Sequence, residues 1–124
     1  MLLLGPSGCG KSDLLLRLID RGFMLVADDR VDIEADMAAP AAGLEGLVEM
    51  RGLGILRLVY RAPVRLALAC ELTGEPPRLP VPALHPLGMP MLRLDARAAS
   101  APLLIAHALD CVQGRTVMHT GAFA

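Results

Sequence analysis

The chain has 124 residues and a formal net charge of −1, and 54% of its residues are hydrophobic whereas 2% are aromatic. This length predicts one domain, covering residues 1–124, with an aliphatic core. The near-neutral charge argues against a nucleic-acid partner, because the phosphates of nucleic acids attract basic surfaces. Three widely spaced cysteines indicate neither a disulfide framework nor a zinc site and favour a reducing cytoplasm. No apolar stretch is long enough to predict a membrane span or a signal peptide.

The first predicted elements are a strand, a glycine-rich loop and a helix. Residues 2–4 form an apolar run that stops at Gly5, which is typical of a buried parallel strand. After Lys11 apolar residues recur at helical spacing, and Arg21-Gly22 predicts the end of the helix; the apolar residues are Leu14, Leu15, Leu18 and Ile19.

The middle of the chain predicts three strands and one loose loop. Residues 23–27 are apolar and end in the acidic pair Asp28-Asp29, which predicts a strand that delivers two carboxylates at its C-terminal end. Residues 35–46 are rich in alanine and glycine and predict a loose surface loop. Residues 46–51 and 55–60 predict two strands joined by a glycine-containing turn.

The last third of the chain predicts two strands, a loop and a helix. Residues 64–72 alternate in the manner of a half-buried strand, and residues 91–95 predict another. Residues 75–90 are rich in proline and predict a surface loop. Ser100 is expected to cap a helix that runs to about Gln113, with an apolar side formed by Leu104, Ile105, Ala108, Leu109 and Val112. Together these elements predict an α/β fold in which helices flank a mixed sheet.

The glycine-rich loop reads GPSGCGKS and matches the phosphate-binding pattern G-x-x-x-x-G-K-[ST] between a strand and a helix. Its glycines would let backbone N–H groups converge on phosphate oxygens at the positive end of the helix dipole. Lys11 is the only lysine of the chain, and its compact ammonium suits the space between β- and γ-phosphates better than a planar guanidinium. The alternative is a glycine turn with an incidental lysine. The motif favours an ATP site formed by Gly5, Pro6, Ser7, Gly8, Cys9, Gly10, Lys11 and Ser12, with the Ser12 hydroxyl on Mg²⁺.

Two acidic positions are candidates for the chemistry beside this loop. In an extended segment only one of Asp28 and Asp29 can face the phosphates, where it could accept a proton from an incoming hydroxyl. Glu49 and Arg51 are two residues apart and would share one face of a strand, the first suited to Mg²⁺ and the second to phosphate. A solvated acidic turn and a same-face salt bridge are the structural alternatives.

These motifs resemble HPr kinase/phosphorylase, in the short alphaproteobacterial form that consists of the catalytic domain alone. The resemblance covers residues 5–29 and 48–56 and extends weakly to PRLP at residues 77–80. It implies a fold similar to the nucleotide-binding core of phosphoenolpyruvate carboxykinase. It also implies an ATP- and Mg-dependent kinase that phosphorylates a serine of the phosphocarrier protein HPr, in the regulation of carbon metabolism through the phosphotransferase system. In reverse, such enzymes use inorganic phosphate to remove the group and release pyrophosphate.

The resemblance implies a role for each matching residue. Lys11 and Ser12 match the family's phosphate lysine and magnesium ligand, and Glu49 matches its second magnesium ligand. Asp29 matches the residue that deprotonates the acceptor serine, and Asp28 its supporting neighbour.

Other positions match the family less closely. Arg78 resembles the mobile arginine that stabilises the transferring phosphate, and residues 89–93 loosely match a segment tied to dephosphorylation. The family carries a further strand and a catalytic histidine upstream of the cradle, and this chain is expected to lack both. His85, His107 and His119 are interpreted as surface or core residues instead.

Two other functions stay open at this point. A truncated nucleotide-binding regulatory protein would bind Mg-ATP with weak or no transfer, and a small-molecule kinase would need a lid with several arginines, for which Arg78 alone is a thin candidate. The resemblance further implies a homo-oligomer, since family members form hexamers.

Overall fold

A computed structural model describes all 124 residues, which form two helices and eight short strands. The chain divides into two compact units, one of residues 1–17 and 66–124 and the other of residues 18–65. The expectation of one catalytic domain over residues 1–124 stays a prediction. Neither helix combines the length and the apolar character that a bilayer crossing demands.

The first unit contains a parallel three-stranded sheet. Its strands are β1 (Leu2–Leu4), β7 (Ala69–Leu72) and β8 (Met91–Leu94), in the order β1-β7-β8. Leu2 is paired with Ala69 and Ala69 with Met91, so the three carboxyl ends lie along one edge of the sheet. Ligands of open α/β sheets bind outside this edge. The predicted strands at residues 2–4 and 91–95 are confirmed.

Helix α1 (Lys11–Asp20) follows β1 after a loop of six residues and confirms the predicted helix. Leu14 and Leu18 are buried on one side, as their spacing predicts. The helix ends where Gly22 adopts a φ of 108° and its N–H donates to the carbonyl of Ile19. A side chain is disfavoured at this φ, which explains the glycine.

Helix α2 (Ala101–Val112) also confirms its prediction, with two corrections. Ser100 stands at the N-cap, but it has helical dihedrals and its side chain makes no capping hydrogen bond. Leu104, which is predicted to lie on the apolar side, is 48% exposed, whereas Ile105 is fully buried. The buried stripe instead consists of Ala101, Pro102, Ile105 and Ala108.

This stripe yields a stability prediction. Ile105→Ala is expected to lower the free energy of unfolding by about 2–5 kcal/mol, because it removes fully buried methyl groups and leaves a cavity. Leu104→Ala, one position along the same helix, is expected to cost under about 1 kcal/mol because that side chain is half in solvent. Urea unfolding of both variants measures the difference. Equal losses would contradict the orientation of α2.

The second unit is antiparallel and contains strands that the sequence did not predict. Strands β2 (Val31–Glu34) and β3 (Met37–Pro40) form a hairpin, and β6 (Val64–Arg65) pairs with the other side of β3. The prediction that residues 35–46 are a loose loop is wrong for β3. A two-residue turn joins the hairpin, with Ala35 at a φ of 57°. Alanine is unusual at this φ, so the turn gave no recognisable signal.

The remaining strands, β4 (Leu47–Met50) and β5 (Gly54–Arg57), form the predicted hairpin, although β5 ends three residues early. Two other strand predictions are corrected. Residues 23–27 contain only a single bridge, from Leu25 to Tyr60, because no neighbouring strand continues the ladder. The predicted strand at 64–72 is divided into β6 and β7, whose pairing partners lie in different sheets. The α/β class is confirmed, but parallel and antiparallel pairs occupy separate sheets rather than one mixed sheet.

Candidate functional site

The loop between β1 and α1 is concave because of its glycines. Gly8 and Gly10 have φ values of 80° and 93°, a region that residues with a side chain rarely adopt, and Cys9 between them does not share it. Such alternation turns successive N–H groups toward one anion. The N–H of Leu14 donates to the carbonyl of Gly10 at 3.0 Å, so the helix starts directly at the end of the loop. The loop therefore combines a backbone nest with a helix N-terminus.

Gly5 is required for a different reason, which is close packing. A Cβ at this position would lie 2.7 Å from Cys9 Sγ and 3.2 Å from Leu72 Cβ. The thiol of Cys9 thus packs against the start of the loop as a small filling side chain. Any larger residue at position 5 would push the loop away from β7.

Lys11 lies across the loop. Its half-buried ammonium donates a hydrogen bond to the carbonyl of Gly5 at 3.0 Å. An ammonium has three N–H donors, and one of them holds it at the mouth of the concavity. The other two would be directed by that anchor toward phosphate oxygens. The phosphate-binding role of the only lysine of the chain stays a prediction.

Arg97, which the sequence did not indicate, also contacts the loop. Its Nη2 donates to the carbonyl of Gly8 at 2.5 Å, and its Cγ lies 3.4 Å from the point that a Cβ on Gly10 would occupy. The residue follows β8 at the carboxyl edge of the parallel sheet. Arg97 lies near the loop because β8 and β1 belong to the same sheet, and no local motif around residue 97 reveals the strand order.

The predicted acidic residues belong to the second unit. Asp28 is half-buried and Asp29 is exposed, and both lie at a bend rather than at the end of a strand. Glu49 is exposed on β4, whereas Arg51 lies in the following turn, so the argument that they share one strand face fails. No ion pair joins Glu49 to Arg51. The convergence of these residues on Lys11 and Ser12, in the first unit, stays a prediction.

The proline-rich segment at residues 75–90 is a loop, as predicted, and Arg78 is exposed on it. Nearby, an open depression of about 440 Å³ adjoins Gly5 and is lined by Glu71, His85 and Arg93 among others. Arg93 Nε lies 2.8 Å from Glu71 Oε2, so this guanidinium is already paired across β7 and β8. His107 and His119 are exposed, and no histidine lies among the cradle residues.

The residues predicted to hold magnesium are hard oxygen donors, the Ser12 hydroxyl and the Glu49 carboxylate. No group of three or more His, Cys, Asp or Glu side chains converges in the structure. Mg²⁺ commonly binds through one or two protein oxygens together with substrate phosphates. The donor set of this chain fits that mode of binding.

Burial raises the pKa of the Cys70 thiol to about 12, from an ordinary value of 9.0. The thiol therefore stays protonated and unreactive, because the thiolate is the nucleophile.

We expect iodoacetamide at pH 8 to modify the partly exposed Cys9 and Cys111 and to leave Cys70 intact until the protein unfolds. Because the folded pKa lies above the unfolded one, the stabilising contribution of this group is complete below pH 9 and is lost as the pH rises toward 12. Peptide mass spectrometry after labelling tests this, and early modification of Cys70 would contradict it.

Comparison with known proteins gives matches that include the cradle. Residues 1–61 match the family model of the HPr Serine kinase C-terminal domain. An HPr kinase/phosphorylase of Burkholderia cenocepacia is 36% identical over 119 residues, which cover 81% of this chain and 37% of that protein. The chain is thus similar to HPr kinases, to the family model over residues 1–61 and to this relative over most of the chain.

Two further matches bear on the extent and the fold of this chain. An HPr kinase/phosphorylase of Azoarcus sp. is 40% identical over 95 residues, covering 62% of this chain and 30% of that protein. The chain therefore spans about a third of the length of the curated relatives that it matches. The structure of the Hpr(Ser) kinase/phosphatase from Coxiella burnetii superposes with a TM-score of 0.68 at 23% identity, covering 91% of this chain and 82% of that one. The α/β fold therefore resembles that of the Coxiella burnetii protein.

Proposed function

We propose that this chain provides the ATP-binding catalytic part of an HPr serine kinase. The single observation that carries the proposal is the Lys11 ammonium, which is anchored on the Gly5 carbonyl at 3.0 Å above a loop with positive φ at Gly8 and Gly10. The similarity to HPr kinase/phosphorylases then favours HPr, in the cytoplasm, as the substrate over other phosphoryl acceptors. We further infer that the cradle is a P-loop in a core like that of phosphoenolpyruvate carboxykinase.

Nucleotide phosphates would suit the cradle because the glycine-rich loop and the N-terminus of α1 offer backbone N–H donors to an anion. The N–H of Cys9 donates to the carbonyl of Pro6 at 3.2 Å, so the other N–H groups of the loop would contact the phosphates. Lys11 would bind the β- and γ-phosphates, and the Ser12 hydroxyl with the Glu49 carboxylate would hold Mg²⁺. The metal would neutralise charge on the phosphates while the phosphoryl group is transferred.

The chemical step needs a base and a positive charge. Asp29 would accept the proton of the HPr serine hydroxyl while the serine oxygen forms a bond to the γ-phosphorus. The bond from this phosphorus to the β–γ bridging oxygen breaks, and ADP leaves. Asp28 would orient Asp29, and Arg51 would contact a phosphate oxygen. Arg78 would bring its guanidinium from the proline-rich loop onto the transferring group.

The reverse reaction is a second part of the proposal. Inorganic phosphate would attack the phosphoserine and release pyrophosphate, with Asp29 returning its proton to the serine oxygen. Residues 89–93 are the segment loosely matched to this activity, and Arg93 within it is held by Glu71. A homo-oligomer, as in the family's hexamers, also stays a prediction.

A transfer assay tests the function directly. The chain is incubated with Mg-ATP labelled on the γ-phosphate and with purified HPr, and labelled phosphoserine is expected on HPr. A parallel titration with a fluorescent ATP analogue measures binding. Binding without transfer would overturn the kinase proposal in favour of a nucleotide-binding regulatory protein, and transfer to a sugar instead of HPr would favour a small-molecule kinase.

A further inference from the structure

The segment that connects β8 to α2 is fastened to the cradle within the first unit. Arg97 Nη2 donates to the carbonyl of Gly8 at 2.5 Å, and the Arg97 stem runs past Gly10. The backbone N–H of Arg97 donates to Asp95 Oδ1 at 2.9 Å, which fixes the start of the segment. The guanidinium therefore approaches the loop from a constrained backbone.

Arg17 on helix α1 is hydrogen-bonded to the same segment. Its Nη1 donates to the carbonyl of Ala98 at 3.1 Å and its Nη2 donates to the carbonyl of Ala96. Its Nε is paired with Asp13 Oδ2 at 3.0 Å, one turn earlier on the helix. Two carbonyls that flank Arg97 are thus tied to the helix that the cradle precedes.

The contact with Gly8 matters because a phosphate cradle must keep its carbonyl oxygens away from the anion. A charge-assisted hydrogen bond from a guanidinium holds a carbonyl in one direction. Because the peptide is planar and trans, the N–H of the same peptide, which for Gly8 is that of Cys9, is then held in the opposite direction. Gly8 brings no side chain to hold this peptide, and inside the loop the peptide is held by the N–H of Cys9, which donates to the carbonyl of Pro6 at 3.2 Å. Arg97 adds a second restraint on the same peptide, at its carbonyl and from outside the loop.

We propose that Arg97 is a positioning residue of the cradle, which fixes the Gly8 peptide for nucleotide binding, and that Arg17 holds the segment that carries it. The consequence for nucleotide affinity rests on the proposed function. The restraint on the loop itself does not, since all of its partners lie in this chain. The two parts can therefore be tested separately.

Hydrogen–deuterium exchange of the nucleotide-free protein tests the restraint. Arg97→Met is expected to speed exchange in peptides covering residues 6–12, and Arg17→Met is expected to do the same without altering Arg97 or Gly8. The matched control is Arg115→Met, which removes an exposed arginine paired with Asp110 at the end of α2. Unchanged exchange in the Arg97 variant would overturn the proposal.

Titration with methylanthraniloyl-ATP and Mg²⁺ tests the consequence. Arg97→Met is expected to raise the Kd about tenfold, as loss of one charge-assisted hydrogen bond would. Arg97→Lys is expected to recover part of the affinity and of the slow exchange, whereas Arg115→Met should match the wild type. Weakened binding with unchanged exchange would indicate direct contact with phosphate and overturn the positioning role. A wild-type chain that binds no nucleotide would contradict the proposed function. The exchange comparison would still show whether Arg97 restrains the loop.

Discussion

Lys11→Met is expected to raise the Kd for Mg-ATP by a factor of about 10²–10⁴, since it removes two charge-assisted hydrogen bonds to phosphate, each contributing about 1.5–3 kcal/mol. The fold should survive, because the ammonium contacts only the Gly5 carbonyl and methionine has a similar stem. Titration with a fluorescent ATP analogue measures the loss. Lys11→Arg is expected to recover little, because the wider guanidinium cannot both reach Gly5 and enter between two phosphates.

A chemical experiment on the unaltered chain tests the same residue. Because Lys11 is the only lysine, an acyl-phosphate derivative of ATP can acylate only one side-chain amine. We expect this amine to be acylated and Mg-ATP in excess to protect it. Acylation that ATP does not block, or a Lys11→Met variant with wild-type affinity, would contradict the assignment of the cradle.

The part of the site formed by β1, the loop and α1 could be predicted because its determinants are local. A short apolar run, glycines that permit positive φ and a helical repeat of leucines all lie within residues 1–22. The close approach of Gly5 to Cys9 and Leu72 agrees with the motif but adds a contact with β7 that the motif does not contain. The sequence pattern is sufficient to predict these elements because each depends on the backbone conformation of its own residues.

Other features depend on which strands become neighbours, and periodicity does not encode that. Residues 64–72 bury Leu66, Leu68 and Leu72 as their alternation predicts, yet the segment is shared between two sheets. Arg97 reaches Gly8 only because β8 lies in the same parallel sheet as β1. The hairpin of β2 and β3 was missed because an alanine occupies the position of its turn where glycine or asparagine is usual.

Asp29→Asn is expected to slow phosphoryl transfer to HPr by a factor of about 10²–10⁴, the usual contribution of a positioned general base. The amide keeps the shape of the carboxylate but cannot take the serine proton. Because binding of Mg-ATP depends on the cradle, the Kd for the nucleotide should stay within about twofold of the wild type. Single-turnover transfer from labelled ATP and the fluorescent titration measure the two quantities on the same preparation.

Asp32→Asn is the matched control, since Asp32 is an exposed carboxylate on β2 in the same unit and has no assigned role. It is expected to transfer phosphate at the wild-type rate. Asp28→Asn should lower the transfer rate by less than Asp29→Asn, because Asp28 would orient the base and would not itself take the serine proton. If Asp28→Asn were the more damaging change, the roles of the two neighbours would be exchanged. Full activity in both variants would remove the acidic pair from the reaction and leave the chain with a nucleotide cradle but no identified base.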